Sequence, residues 1–314
     1  MSMQIYDMAV IGGGPGGYTA ALYAARAGLN VVVLEQLSAG GQMALTEQID
    51  NYPGFDAGID GFTLGEQMQR GAEHFGAETI LAEVESVELQ EPVKRLKTSE
   101  GTIMTRTVVI ATGATPRPLG IPGEKEWTGR GVHYCAACDG MAYRGKTVAV
   151  IGGGNSAAED ALTLSRFAKK VYLIHRRDTL RAEKIYKKQL EEKENVEFCW
   201  NSTVEKLICT ERLTGVQLRN SKDHTMQELL CDGIFVSVGR NPATGLLQGQ
   251  VTMDQAGYLC ADETTRTNLP GVFAAGDVRT KPLRQVVTAA ADGAVAAHFA
   301  AQYLNEQKID AGVN

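Results

Sequence analysis

The chain has 314 residues, 44% hydrophobic and 22% charged, with a formal net charge of −6. That length exceeds one ordinary core and predicts two domains of a globular protein, while the acidic balance excludes a general nucleic-acid binder. The opening MSMQIYDMAVIGGG lacks the charged segment and apolar core of a secretory leader, so the six cysteines are expected in a reducing cytoplasm.

In chain order, the first predicted strand enters the turn VIGGG (Val10–Gly14), followed by a helical stretch and an apolar strand ending at Glu35. This is a βαβ unit. Its turn fits G-x-G-x-x-G at Gly12, Gly14 and Gly17, with Pro15 between. The first glycine permits the tight turn, the second lets backbone approach a pyrophosphate, and the third packs helix on strand. Residues 85–108 read as further strands of the same domain, and ATGATPRPLGIPG carries the chain out of it. VIGGG then recurs at Val150–Gly154, opening a second βαβ unit that fits G-x-G-x-x-A at Gly152, Gly154 and Ala157, with Asn155 and Ser156 between. GRNPATG (239–245) marks a return crossing, and TNLPGVFAAGDV (267–278) reads as a strand ending in Gly276-Asp277. The alanine-rich stretch 286–304 carries Asp292, Gly293 and His298, which predicts a buried helix and not a membrane span. The predicted fold class is α/β, with two Rossmann-like, three-layer dinucleotide-binding domains. Residues 1–116 and 245–314 form one, and 117–244 form an insert.

The two units differ where their second strands end. Glu35 and His175 stand at the same distance after Gly12 and Gly152. A carboxylate at that position accepts from a ribose and repels a 2′-phosphate. In the second unit the acid is replaced by His175, with Arg176, Arg177 and Arg181 close behind, and guanidinium forks bind phosphate. The first site therefore suits FAD and the second NADPH. The competing reading of HRRDTLRAEK is a solvated basic helix start, with Arg181 paired to Glu183 or a neighbour. Asp277 can hold the ribityl chain of a flavin or cap the following helix. That helix, from LRQVV, can aim its first amides at a flavin.

Between the two turns lies HYCAACDG (133–140). A zinc site needs about four ligands. Cys199, Cys209, Cys231 and Cys260 show no matching spacing, and His133 alone does not complete a set. Those four cysteines read as buried hydrophobes. Compartment disfavours a structural disulfide, and a redox pair fits, since neighbouring groups can depress one thiol and Asp139 can carry its proton.

GGGPGGYTAALYAARAG, GGQM, DNYPGF, ATGATPR, CAACDG, GGGNSAAE, HRRD, RAEK and GVFAAGDV with RQVVTAAADG together resemble the low-molecular-weight, bacterial-type thioredoxin reductases over essentially the whole chain. The resemblance implies FAD along Gly12–Gly17, Glu35, Gly41, Gln42, Asn51, Asp277, Arg284, Gln285 and Val286. It implies NADPH at Gly154, Asn155, Ser156, Ala157, His175, Arg176, Arg177 and Arg181. It further implies that Cys138 faces the flavin, that Cys135 attacks a thioredoxin disulfide, that Asp139 is the acid–base group and that the protein is a homodimer whose insert rotates. Ala136-Ala137 departs from the common Ala-Thr spacer. The alternatives are a glutaredoxin-like or peroxidase-linked acceptor, or a donor other than NADPH. The complete HRRDTLRAEK favours NADPH.

Overall fold

The computed structural model describes residues 4–46 and 48–310. The chain opens with β1 (Ile5–Ile11), α1 (Pro15–Arg26), β2 (Val31–Glu35), α2 (Gly61–His74), β3 (Glu78–Leu81), β4 (Val84–Glu88), β5 (Lys94–Thr98) and β6 (Gly101–Ile110). It continues through β7 (Ala114–Pro116), β8 (Val132–His133), α3 (Ala136–Asp139), β9 (Thr147–Gly152), α4 (Asn155–Ser165), β10 (Lys170–Ile174), α5 (Lys184–Glu191) and β11 (Val196–Cys199). It closes with β12 (Ser202–Cys209), β13 (Leu213–Asn220), β14 (Met226–Leu230), β15 (Gly233–Ser237), β16 (Arg240–Pro242), β17 (Val272–Ala274) and α6 (Val286–Asp310). Both βαβ units are present, as β1-α1-β2 and β9-α4-β10. The chain divides into two compact units, Met1–Thr115 with Asn241–Asn314, and Pro116–Arg240. The return thus falls between Arg240 and Asn241, slightly before the 244/245 expected from GRNPATG.

In the first unit the sheet runs β3-β2-β1-β6-β5-β4. The first half of β6 pairs antiparallel with β5, and its last three residues pair parallel with β17. VVVLE of β2 is nearly all buried, as a parallel strand covered on both faces requires. On one face lie α1 and α6, rich in alanine and glycine for a reason visible in their contact. A Cβ on Gly293 would lie 2.2 Å from Gly16 O, and one on Gly16 would lie 3.2 Å from Ala289 O. Small residues let the two backbones touch. The other face buries Leu89, Leu96, Leu247, Val251 and Leu259.

In the second unit β11-β10-β9-β15-β8 form an all-parallel sheet. One face carries the helical layer, with Ala157, Ala161 and Leu164 of α4 and Leu190 of α5 packed on Val148, Val150 and Phe235. The antiparallel meander β12-β13-β14 covers the other, placing Val204, Leu213, Val216 and Leu218 against Ala149, Ile174 and Ile234. Helix, sheet and meander make three layers. Among the described residues no helix is long and apolar enough to cross a membrane.

Candidate active site

The first glycine-rich turn lies between β1 and α1. Gly12 has φ +103°, and a Cβ there would meet Ala111 O at 2.5 Å, so only glycine fits. A Cβ on Gly17 would lie 1.9 Å from Gly12 O, which is how closely helix approaches strand. Around Gly14, by contrast, there is open space. Gly14 is the N-cap of α1, Pro15 follows, and no side chain caps the helix. Its first amides are thus left without a side-chain partner beside that open space, as a pyrophosphate site requires. Glu35 ends β2, where Oε2 accepts from Gly13 N at 2.6 Å and Oε1 from Leu37 N at 3.1 Å. Each oxygen keeps a lone pair for a hydroxyl.

Other expected flavin residues gather around this turn. Gly40 N donates to Gly13 O at 2.8 Å, and a Cβ on Gly41 would lie 3.5 Å from Gly14 Cα. Gln42 shares the short 3-10 helix Gly41–Leu45. Asn51 Nδ2 donates to Gln285 Oε1 at 3.0 Å, and Val286 packs with Met43 and Ile49. Asp277 lies in the 3-10 turn Gly276–Val278, well before α6, so it is not that helix's N-cap. Arg284 holds this turn. Its Nε donates to Asp277 O at 3.4 Å, and its guanidinium lies 4.0 Å from the Tyr258 ring centroid. Beneath the turn Asp292 accepts from Gly276 N, Arg279 Nη1 and Lys281 Nζ, a buried cluster that the sequence alone left unread.

The second turn repeats the design. Gly152 and Gly12 both have positive φ, Gly154 faces open space, and α4 begins at Asn155 without a side-chain cap. Ser156 and Ala157 occupy its first turn. The basic segment HRRDTLR is not a helix start, since α5 begins only at Lys184. Instead it docks on the turn through Arg181 N and Ala182 N, which donate to Gly153 O at 2.7 and 3.1 Å. Glu183, the expected partner of Arg181, exchanges hydrogen bonds with Asn155 at 2.8 and 2.9 Å. Among the described residues, Arg176, Arg177 and Arg181 make no ion pair, and all three are exposed. His175 is buried on Gly153, and its Nε2 finds no hydrogen-bond partner. Burial, then the charges of Arg181, Arg176 and Arg177, hold this imidazole below the usual histidine range. A neutral ring with a vacant nitrogen, ringed by three uncompensated guanidiniums, fits a phosphorylated ribose.

In the same unit Cys135 and Cys138 form a disulfide, with Cα atoms 5.3 Å apart. Cys135 is the N-cap of the one-turn helix α3, and its Sγ accepts from Cys138 N at 3.2 Å. Both cysteines are partly exposed, and Ala137 between them is exposed. Asp139 is not a free turn residue, because its Oδ2 lies 3.1 Å from His133 Nδ1. His133 Nε2 in turn lies 2.7 Å from Tyr143 Oη. Asp160 of α4 accepts from Ser237 Oγ and from the Ala136 backbone of the dithiol turn. Burial raises its carboxyl to about 6. Of the four remaining cysteines, expected as buried hydrophobes, only Cys231 is buried, and Cys199, Cys209 and Cys260 are partly exposed. Burial pushes the Cys199 thiol up to about 11 and the Cys231 thiol up to about 12.

Residues 6–293 match the family model of pyridine nucleotide-disulphide oxidoreductases. The thioredoxin reductase of Listeria monocytogenes is 44% identical over 306 residues, covering 97% of this chain and 96% of its own. A bifunctional thioredoxin reductase/thioredoxin of Mycobacterium leprae is 46% identical over 304 residues, covering 96% of this chain and 66% of its own. The crystal structure of thioredoxin reductase from Streptococcus pyogenes superposes with a TM-score of 0.90 at 43% identity, covering 97% of this chain and all of that one. Two nucleotide-type turns of opposite charge, a Cys-x-x-Cys disulfide and end-to-end likeness agree: the chain belongs to the pyridine nucleotide-disulphide oxidoreductase family, among its thioredoxin reductases.

Proposed function

We propose that this protein carries electrons from NADPH to the Cys135–Cys138 disulfide and from there to a thioredoxin, as a cytoplasmic homodimer. The observation that carries the reading is the Cys135–Cys138 disulfide, flanked by Asp139 and standing in the same unit as the arginine-bordered turn. Residues Gly12, Gly14, Pro15, Gly17, Glu35, Gly41, Gln42, Asn51, Asp277, Arg284, Gln285 and Val286 hold FAD. Gly154, Asn155, Ser156, Ala157, His175, Arg176, Arg177 and Arg181 hold NADPH. FAD, when bound, accepts a hydride and passes on its electron pair. The open space at Gly14 and Gly154, and a His175 Nε2 and three arginine side chains without hydrogen-bond or ion-pair partners among the described residues, support both placements.

The chain's own residues then divide the work. Cys135 attacks the acceptor's disulfide as a thiolate, Cys138 resolves the mixed disulfide, and Asp139 takes and returns the proton. The thioredoxin in the mycobacterial relative's name supports a thioredoxin as acceptor. Cys138→Ser keeps the attacking thiol and loses the resolving one. It should trap a covalent complex with a thioredoxin lacking its own resolving cysteine, whereas Cys135→Ser should trap none. NADPH should still bleach the flavin in both variants. Wild-type turnover in either variant would remove the dithiol from the pathway.

A further inference from the structure

The proton chemistry of the dithiol rests on more than Asp139. His133 stands on β8, paired in register with Phe235 of β15. Its ring stacks on Phe235 with centroids 5.3 Å apart, and Tyr143 meets both rings edge-on. Tyr143 reaches this position because residue 233 is glycine, where a Cβ would lie 2.3 Å from the Tyr143 ring. The imidazole is only 7% exposed, so its two nitrogens answer to two partners, Asp139 Oδ2 and Tyr143 Oη. Behind Tyr143 stand Asp232 and Cys231, and Lys146 Nζ lies 5.2 Å from the centre of its ring. Burial, then the neighbouring Asp139 and Asp232, push the phenol up to about 12. Tyr143 therefore stays neutral at working pH and offers Oη as an acceptor.

We propose that His133 is a positioning residue that holds the dithiol's proton. With Nε2–H donating to Tyr143 Oη, Nδ1 is left to exchange a proton with Asp139. The inference rests on the reading of Cys135–Cys138 as the working disulfide. Once that disulfide is reduced, Cys135 acts as the thiolate and Cys138 carries the proton. Cys135 Sγ bonds to one acceptor sulfur, the acceptor's S–S bond breaks, and its other sulfur leaves as a thiolate that is protonated from water. Cys138 Sγ–H must then give up its proton before it attacks Cys135 Sγ. That proton passes to Asp139 and across the 3.1 Å gap to His133 Nδ1. The S–S bond re-forms within the protein, and the second acceptor sulfur departs and takes a proton. The electron pair of the hydride supplied by NADPH reopens the disulfide, the proton that came with it is released to water, and the stored proton returns through Asp139 to Cys138, leaving Cys135 as the thiolate. When the ring is charged, Nε2–H stays on Tyr143 and Nδ1–H donates to Asp139; when it is neutral, Nδ1 is the acceptor that takes the proton Asp139 relays.

The test uses the flavin-loaded protein with ¹⁵N-labelled histidine and reads the His133 ring nitrogens against pH. Nε2 should carry its proton throughout, and Nδ1 should titrate. Chemical reduction of the disulfide should raise the Nδ1 midpoint by about one pH unit, as a new negative charge nearby does. Asp139→Asn should shrink that difference. His133→Asn should slow thioredoxin reduction about tenfold and change its pH profile, less than the loss of a direct acid–base group, with hydride uptake from NADPH unaltered. A His133 midpoint that ignores the redox state, or a neutral ring protonated on Nδ1, overturns the inference. Because reduction is chemical, this readout needs no acceptor. Failure to reduce any thioredoxin would sink the acceptor assignment and leave this result standing.

Discussion

The two βαβ units use one backbone solution with opposite electrostatics. In each, the side chain ending the second strand folds back onto the middle glycine of GGG. Glu35 accepts from Gly13 N, and the His175 ring lies where a Cβ on Gly153 would sit, 2.2 Å away at its nearest atom. The middle glycine is thus required in both turns by what must lie over it. The difference is the group that lies there: an anion in the first unit, a neutral ring among guanidiniums in the second. The comparison teaches that geometry selects a dinucleotide and one strand-end side chain selects which.

The two turns are not equally tolerant, and this gives the largest expected effect. Gly17→Ala would place a Cβ 1.9 Å from Gly12 O, a backbone atom that cannot yield. We expect a loss of about 3 kcal/mol in denaturant unfolding together with loss of bound flavin colour. Ala157→Gly at the matching position should cost only about 1 kcal/mol, the helix preference for alanine. Equal costs would break the asymmetry. The next effect concerns charge. Arg176→Ala with Arg177→Ala should weaken NADPH binding about 100-fold and NADH binding little, because each charged hydrogen bond to phosphate is worth roughly 1.5–3 kcal/mol. Equal loss for both nucleotides, measured by titration calorimetry, would make the arginines a solvated face.

The smaller effects are pH slopes of opposite sign within the second unit. His175 is held below the usual histidine range, so the unfolded chain binds its proton first. Stability should fall as pH drops through about 6.5, and His175→Gln should remove that contribution. Asp160 behaves oppositely, since its carboxyl is raised to about 6 from an ordinary 3.8. The folded form binds that proton first, so stability from this group should be lost as pH rises from about 4 to 6. Asp160→Asn should flatten that window in urea unfolding curves.

What the sequence revealed and what it hid follow one physical line. The turns were legible because glycine at a positive φ or under a close contact leaves a local mark, as at Gly12 and Gly17. Glu35 and His175 were legible because strand length fixes their offset from the turn. His133 was visible only as an incomplete zinc ligand, since its role depends on Tyr143, Phe235 and the missing side chain at Gly233, brought together by β8 and β15. Asp160 drew no reading from the sequence, because its partners Ser237 and Ala136 lie on other elements. The basic segment was misread as a helix start in one alternative, because nothing local announces that Gly153 O captures Arg181 N.

The contact between Gly16 on α1 and Gly293 on α6 joins nearly the two ends of the chain, so the first unit can complete its fold only when synthesis is nearly finished. As the chain leaves the ribosome, β1, α1 and β6 emerge early, but β17 and the helix that covers α1 emerge last. The whole of Pro116–Arg240 is made in between and has every strand of its parallel sheet. The inserted unit can therefore fold during translation, while its host waits with an alanine-lined helix face uncovered. A nascent chain stalled before residue 272 would be expected to protect the second unit from protease and leave the first open to it.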